Sequence, residues 1–454
     1  MQEIRQFFLV ALALLAVSCG NPSDQSKLLK EIHVPQFPDR VVCVPVPSDT
    51  LADWHDVINA AIEQCGADGG GHVIVKAGQY LCNGPVNLLS GVDLHLDEGA
   101  EILFGSNPKY YLPAVRSFWE GTELFNYSSL IRAEGQKNIA LTGKGSLKGG
   151  ASGAFALMRP QGSAQQDTLR QMGIDGVPVA QRRFDSRSIL PPSMVQFIEC
   201  EDVLVEGLTL NDSPYWVIHP VLCNNVTVRG VSIVSYNKNN DGCDPEYSRN
   251  VLIEDCVFST GDDAIAIKAG RDQDGWRIGV PSSNILIRNC EFRSKCNGLC
   301  IGSEMSAGVE NVYMENVHIA RCYSGIYFKS NLDRGGYIRN VKVNNVVCDT
   351  VRSAFIRFET AYHGARGGYH PTSFENFSIS NIRGGVSDEC GIYAVGIEDK
   401  HLDGIELRNV DLEQVQVPYM IKYADNVRFK NVTVCGKTLP SAPEETEAGR
   451  LKTD

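Results

Sequence analysis

The chain has 454 residues, 43% of them hydrophobic, and a formal net charge of −12. That is enough apolar material for one large core or two ordinary domains. The negative balance argues against a nucleic-acid partner, and a polyanionic ligand would need a local cationic patch.

In chain order, the first signal is an apolar run from Phe7 to Val17, too short to span a bilayer and suited to the core of an export signal. It ends in Ala16-Val17-Ser18-Cys19, which resembles the lipobox of bacterial lipoproteins, with Ala16 where leucine is usual. Residues 1–18 are therefore expected to be a cleaved leader, Cys19 the lipidation site and residues 19–30 a tether. The product would be an exported lipoprotein, periplasmic or at the outer membrane or cell surface, touching the membrane only through its lipid. Thr50 to Cys65 follows with Trp54, Val57, Ile58, Ala61, Ile62 and Cys65 at helical spacing, stopped by Gly66 and then Gly69 to Gly71. Short alternating runs begin at His72–Val75 and continue through Val92–Leu96, Ile102–Phe104 and Asn138–Leu147. Gly150 to Pro192 breaks the pattern and reads as an insertion, either a surface loop or a wall of a cleft. Residues 440–454 read as a disordered tail from their Pro, Glu and polar content.

An internal repeat organises what lies between. Starts fall at Asp202, Asn225, Asn250, Asn284, Asn311, Asn340, Asn376, Gly404 and Asn426, at spacings of 22–36 residues. Each start opens an apolar-any-apolar run, a bend, and a second such run out of phase with the first, so two short strands meet at a corner. The corner carries Gly207, Gly230, Asp255, Asn289, Asn316, Asn345, Asn381, Asn409 and Asn431, residue types that tolerate left-handed backbone and can bond in a ladder when stacked. The expected fold is all-β, a right-handed parallel β-helix over residues 31–439 as one domain, with the Thr50–Cys65 helix capping its open end. Cys256 and Cys290 fall on consecutive rungs of an apolar ladder, where thiols serve as small hydrophobes, so most of the 15 cysteines are expected to be free.

The stretch Asn239 to Gly270 concentrates the chemistry, with Asp241 and Asp244 in NDGCDP and Asp262 and Asp263 in GDDAIAIK. NDG and GDD are ordinary turn sequences taken singly. One repeat apart, they bring together carboxylates that repel one another, so that one holds a proton others lack. An acid for a leaving oxygen and a base for water are the needs of glycoside hydrolysis. Asp263 and Asn297 each lie thirteen residues after a start, and Asp241 and Lys329 sixteen and eighteen after theirs, so all should line one face of about four coils. A carboxyl separation of about 6.5–9.5 Å would predict inversion, and about 5 Å retention.

NDGCDP, GDDAIAIK, CNGLCIGSE and IYFKSN, in this order, resemble the four motifs of the polygalacturonase-type glycoside hydrolases, family 28. The resemblance implies an inverting hydrolase of galacturonic-acid linkages in pectic polysaccharides, with Asp262 as proton donor and Asp241 and Asp263 holding and activating water. It implies substrate contacts from Asp244, Asn297, Lys329, Tyr327, Lys268 and Tyr362, no cofactor, and a monomer. Two departures stand out. Cys296-Asn297-Gly298 replaces Gly-His-Gly, and Tyr327-Phe328-Lys329 replaces Arg-Ile-Lys, so a histidine and one cation are absent. Lys268, Arg271, Arg277 and the segment from Arg357 to His363 are candidates to compensate. Rhamnogalacturonan or xylogalacturonan hydrolysis, a calcium-dependent pectate lyase and a non-catalytic glycan-binding solenoid remain as alternatives.

Overall fold

The computed structural model describes residues 24–447, apart from 48, 50 and 159–161. The leader and Cys19 lie outside the described residues. Stacked parallel strands form the solenoid, and its coils pair in register. Val203, Val226, Val251, Ile285, Val312, Val341, Phe377 and Ile405 make one continuous apolar column. A second face stacks Ile265, Leu299, Ile326, Ile356 and Ile392. This strand falls after the two halves that the repeat makes visible, and its loops carry the catalytic candidates.

Both corners of the first two strands are left-handed. Asn289, Asn316, Asn345 and Asn381 at the bend have φ of 54–56°, and the starts Asn284, Asn311, Asn340 and Asn376 have φ of 56–60°. The starts, whose role was invisible in the sequence, form a ladder of their own. Asn311 donates to Asn284 at 3.2 Å, Asn340 to Asn311 at 3.2 Å and Asn376 to Asn340 at 2.8 Å. The bend ladder runs Asn289 to Asp255, Asn316 to Asn289 and Asn345 to Asn316, then shifts at Asn381, which donates to Asn344. Within each run the inner amides both give and take, so the two ladders hold coil register from outside while the apolar column holds it from within.

The open end is covered by helix α2, His55–Ala67, which buries Ile58, Ile62 and Cys65. Every described cysteine is a free thiol, with Cys256 and Cys290 stacked on consecutive coils. Two segments differ from their sequence reading, and the insertion takes one of its two expected forms. Part of the expected tether is helix α1, Asp24–Glu31, whose Leu28 packs on Leu252, Leu286 and Tyr313 on the flank of the solenoid. The first part of the expected disordered tail lies along the last coil, where Thr446 donates its N–H to Ile421 at 2.8 Å and Glu445 accepts from Tyr423 N–H at 2.9 Å. Residues 448–454 lie outside the described residues. The insertion is a packed wall rather than a loose loop. Helices α3, Ala154–Met158, and α4, Ser163–Ile174, lead into a cluster in which Leu169, Phe184 and Leu190 meet Trp119, Leu124, Tyr215 and Trp216.

Asn316 tests the ladder. Asn316→Val forces a β-branched residue to φ of 56° and removes two amide bonds, and should cost about 2 kcal/mol in urea unfolding. Asn316→Gly keeps the backbone comfortable and should cost about half of that.

Candidate active site

Strand register brings the acids together. Cys243 pairs with Ile265 and Ile265 with Leu299, which places Asp241, Asp263 and Asn297, each two residues earlier, in one row. The NDG turn is fixed by Asn240, fully buried, whose amide donates to Ser213 O at 3.0 Å and Tyr215 O at 2.9 Å. The glycines of the two motifs are there for space rather than for unusual backbone angles. A Cβ on Gly242 would stand 2.5 Å from Ala264 O, and one on Gly261 only 2.0 Å from Asn237 O. Neighbouring turns can close on one another only because both positions lack a side chain.

One oxygen from each of Asp241, Asp262 and Asp263 lies within 4.8 Å of the others. Their surroundings differ. Asp263 Oδ1 accepts from Asn297 N–H at 2.9 Å and from its Nδ2 at 2.6 Å, and Lys329 Nζ stands 3.8 Å from Oδ2. Asp262 is the more exposed of the pair and accepts backbone N–H groups from Asn239 and Asp263, each at 3.1 Å. Burial and then the charge of Asp263 push its pKa up. Asp241 lies well above the carboxylate range, through burial, then Asp244 and Asp262. Asp244 is raised as well, by burial. Neither oxygen of Asp244 has a hydrogen-bond partner among the described residues, so its carboxyl is buried beside that of Asp241 with no donor to favour its ionised form. The three crowded carboxyls thus have unlike surroundings: Asp262 and Asp241 are pushed towards the protonated form, while Asp263 faces two N–H donors and an ammonium.

These groups open onto a cavity of about 540 Å³. Eight basic residues line it (Arg170, Lys238, Lys268, Arg271, Lys295, Lys329, Arg334 and Arg366) against five acidic ones, Glu120, Asp241, Asp262, Asp263 and Glu304. In a chain of net charge −12 this is the local cationic patch that a polyanion requires. Several of the cations are engaged by carboxylates. Glu304 takes Lys268 at 3.1 Å and Arg271 at 2.9 Å, while Arg271 also reaches Glu120 at 2.8 Å. Arg170, from α4, binds Asp272 at 2.8 Å and Asp333 at 2.7 Å, and Arg334 binds the other oxygen of Asp272. The insertion is thus a wall of the cavity, through Gln166 and Arg170.

Of the expected substrate contacts, Lys329, Lys268 and Tyr362 line the cavity. Asp244, Asn297 and Tyr327 do not, because all three are buried behind its wall. Asn297 positions Asp263, Asp244 acts on Asp241 through its charge, and Tyr327 gives its hydroxyl to Glu359. The compensating cations are also redistributed. Arg357 is buried, held by Glu359 at 2.8 Å. Arg277, in helix α5, Asp272–Ile278, binds Glu123 and Asp274 and does not line the cavity. Glu304 and Glu120 were missed, although Glu304 closes the motif CNGLCIGSE; Glu120, in the Trp119-Glu120-Gly121 turn, lies outside the four motifs. Arg170 and Gln166 carried no sequence signal, since only folding of the insertion brings them here.

The raised carboxyls make stability depend on pH. Unfolded, Asp262 has an ordinary pKa; folded, it is higher, so the protonated fold is favoured and that contribution is lost as pH rises through the folded value. Asp262→Asn should therefore raise the melting temperature at pH 7.5 and raise it less, or not at all, at pH 3.5, as differential scanning fluorimetry would record.

Residues 181–435 match the profile of Glycosyl hydrolases family 28. A hyperthermoactive exopolygalacturonase from Thermotoga maritima superposes with a TM-score of 0.87 at 34% identity, covering 91% of this chain and 96% of that one. A Vitis vinifera protein named "Probable polygalacturonase" is 27% identical over 85% of this chain and 76% of its own length. Dickeya chrysanthemi exo-poly-alpha-D-galacturonosidase is 24% identical over 85% and 69%. Stacked acids on a right-handed parallel β-helix and the match over more than half the sequence agree, and this chain is a glycoside hydrolase belonging to family 28.

Proposed function

We propose that the enzyme hydrolyses galacturonic-acid-containing glycosidic bonds in pectic chains, acting from a chain end and inverting the anomeric centre. The observation that carries this reading is one cavity in which three crowded carboxyls with unlike hydrogen-bond partners stand among an excess of cations. Asp262 gives its proton to the glycosidic oxygen as the bond from C1 breaks. Water attacks C1 from the opposite face and passes a proton to Asp263, with Asp241 as its second anchor. The oxygen spacing of at most 4.8 Å is nearer the retaining value than the 6.5–9.5 Å band. A single water making two hydrogen bonds of about 2.8 Å at a tetrahedral angle spans about 4.6 Å, however, so the gap suits one held water. Chain-end action is supported by the wall made by α4 and by the loop carrying Tyr362, His363 and Arg366. The exo-acting Thermotoga and Dickeya relatives support it too.

Asp262→Asn should lower kcat on polygalacturonan on the order of a thousandfold and leave binding largely intact. Proton NMR of the first product should show the inverted anomer, and early products should be monomer or dimer. A ladder of long oligomers, a retained anomer, or an unsaturated product lost on chelation would each overturn the corresponding step. Faster turnover of rhamnogalacturonan or xylogalacturonan would move the substrate assignment to those polymers.

We also propose export and lipidation at Cys19, supported by the apolar run Phe7 to Val17 and the sequence that follows it. Cys19→Ala in the full-length precursor should move the protein from the membrane to the soluble fraction and abolish incorporation of labelled palmitate.

A further inference from the structure

Four cations of the cavity, Lys268, Arg271, Arg334 and Arg170, are engaged by buried carboxylates. Arg366 is different. It is the one guanidinium lining the cavity that makes no side-chain ion pair or hydrogen bond among the described residues. Its backbone, by contrast, is fixed. Arg366 N–H donates to Asp333 Oδ2 at 2.8 Å, His363 N–H to Asn331 Oδ1 at 2.9 Å and Tyr362 N–H to Ser330 O at 2.9 Å. The loop is pinned at three points while the Arg366 and His363 head groups are left for something else.

Their neighbour is Lys329. Phe328 aligns with Ile301 and Ile301 with Ile267, so Lys329 stands in the column of Lys268, five residues along the strand from the aspartate row. Its ammonium lies 4.9 Å from the Tyr362 ring centre, and the His363 ring lies 3.8 Å from that of Tyr362. Burial first, then Arg366 and Lys329, push the His363 pKa down, as expected of a ring crowded by two cations and left neutral. Two positive groups and a neutral N–H donor therefore converge on one side of the acids. An ammonium meets a carboxylate as a point charge, whereas a guanidinium can take both oxygens in plane. Arg357 cannot supply that fork because Glu359 holds it inside the wall.

We propose that Arg366, assisted by His363, forms with Lys329 a clamp for the free carboxylate of a uronic acid unit, and that it sets preference for the acid over its methyl ester. The clamp rests on the hydrolase reading of the same cavity and adds residues outside the four motifs. The test uses the mature protein with trigalacturonate and its methyl ester. Arg366→Ala and Arg366→Gln should raise KM for the acid about tenfold with kcat changed far less, leave the ester unaffected, and so reduce the acid-over-ester preference about tenfold. His363→Gln should move KM the same way, about threefold. Calorimetry on Asp262→Asn with and without Arg366→Ala should show Kd for trigalacturonate weakened about tenfold. An unchanged acid-to-ester ratio in a wild type that turns both over, or an unchanged Kd, overturns the clamp. Should the wild type hydrolyse neither compound, the hydrolase reading fails, and the calorimetric comparison still decides whether the clamp stands.

Discussion

In-register stacking is the constraint on which everything else depends. A parallel strand slipped by one residue turns its whole apolar face outward, so register is the quantity the chain must secure. Here it is secured twice, by the aliphatic column inside and by the two outer ladders of left-handed asparagines. The catalytic row is a by-product of the same arithmetic. Asp241, Asp263 and Asn297 are distant in sequence, yet their relative heights are set by the pairing of Cys243, Ile265 and Leu299 two residues away. A rigid scaffold of this kind holds reacting groups without needing a flexible loop to find them.

The cost of such a site is electrostatic. Three carboxyls crowd within 4.8 Å, mostly out of water, which disfavours their ionised forms. Asp263 has the N–H groups of Asn297 and the ammonium of Lys329 beside it, whereas Asp241 is buried against Asp244. Asp262, with backbone donors from Asn239 and Asp263, is pushed towards its protonated form. Asymmetry among three identical side chains thus arises from donors in the wall behind them. Asn297 has a direct part in it: its backbone N–H and its side-chain amide each give Asp263 one hydrogen bond, and it has no charge of its own to titrate.

Much of this was legible in the sequence. The repeat disclosed the solenoid because its apolar positions recur on every coil, and GDD and NDG disclosed the acids because turns that carry adjacent charges are conspicuous. Other parts depended on contacts that no local pattern encodes. Asp244, Asn297 and Tyr327 sit in motifs yet face inward, and the alternation of side chains along a strand interrupted by loops did not reveal that. The starts Asn284, Asn311 and Asn340 looked like mere punctuation until their φ values showed a second ladder. Leu28 in α1 and Thr446 near the carboxyl end owe their order to surfaces offered by distant coils, against a polar composition that suggested none.

The insertion bears on how the enzyme can be altered. Arg170 and Arg182 neutralise Asp272, Asp333 and Asp274, acids that belong to the solenoid's own loops and are almost wholly out of water. Trimming the segment would take one partner from each of those acids, leaving Asp272 to Arg334, Asp274 to Arg277 and Asp333 with Arg334 at 4.0 Å, and an interior charge that loses part of its pairing is destabilising. The insertion and the solenoid's loop aspartates are therefore electrostatically coupled, so that shortening one calls for matching changes in the other.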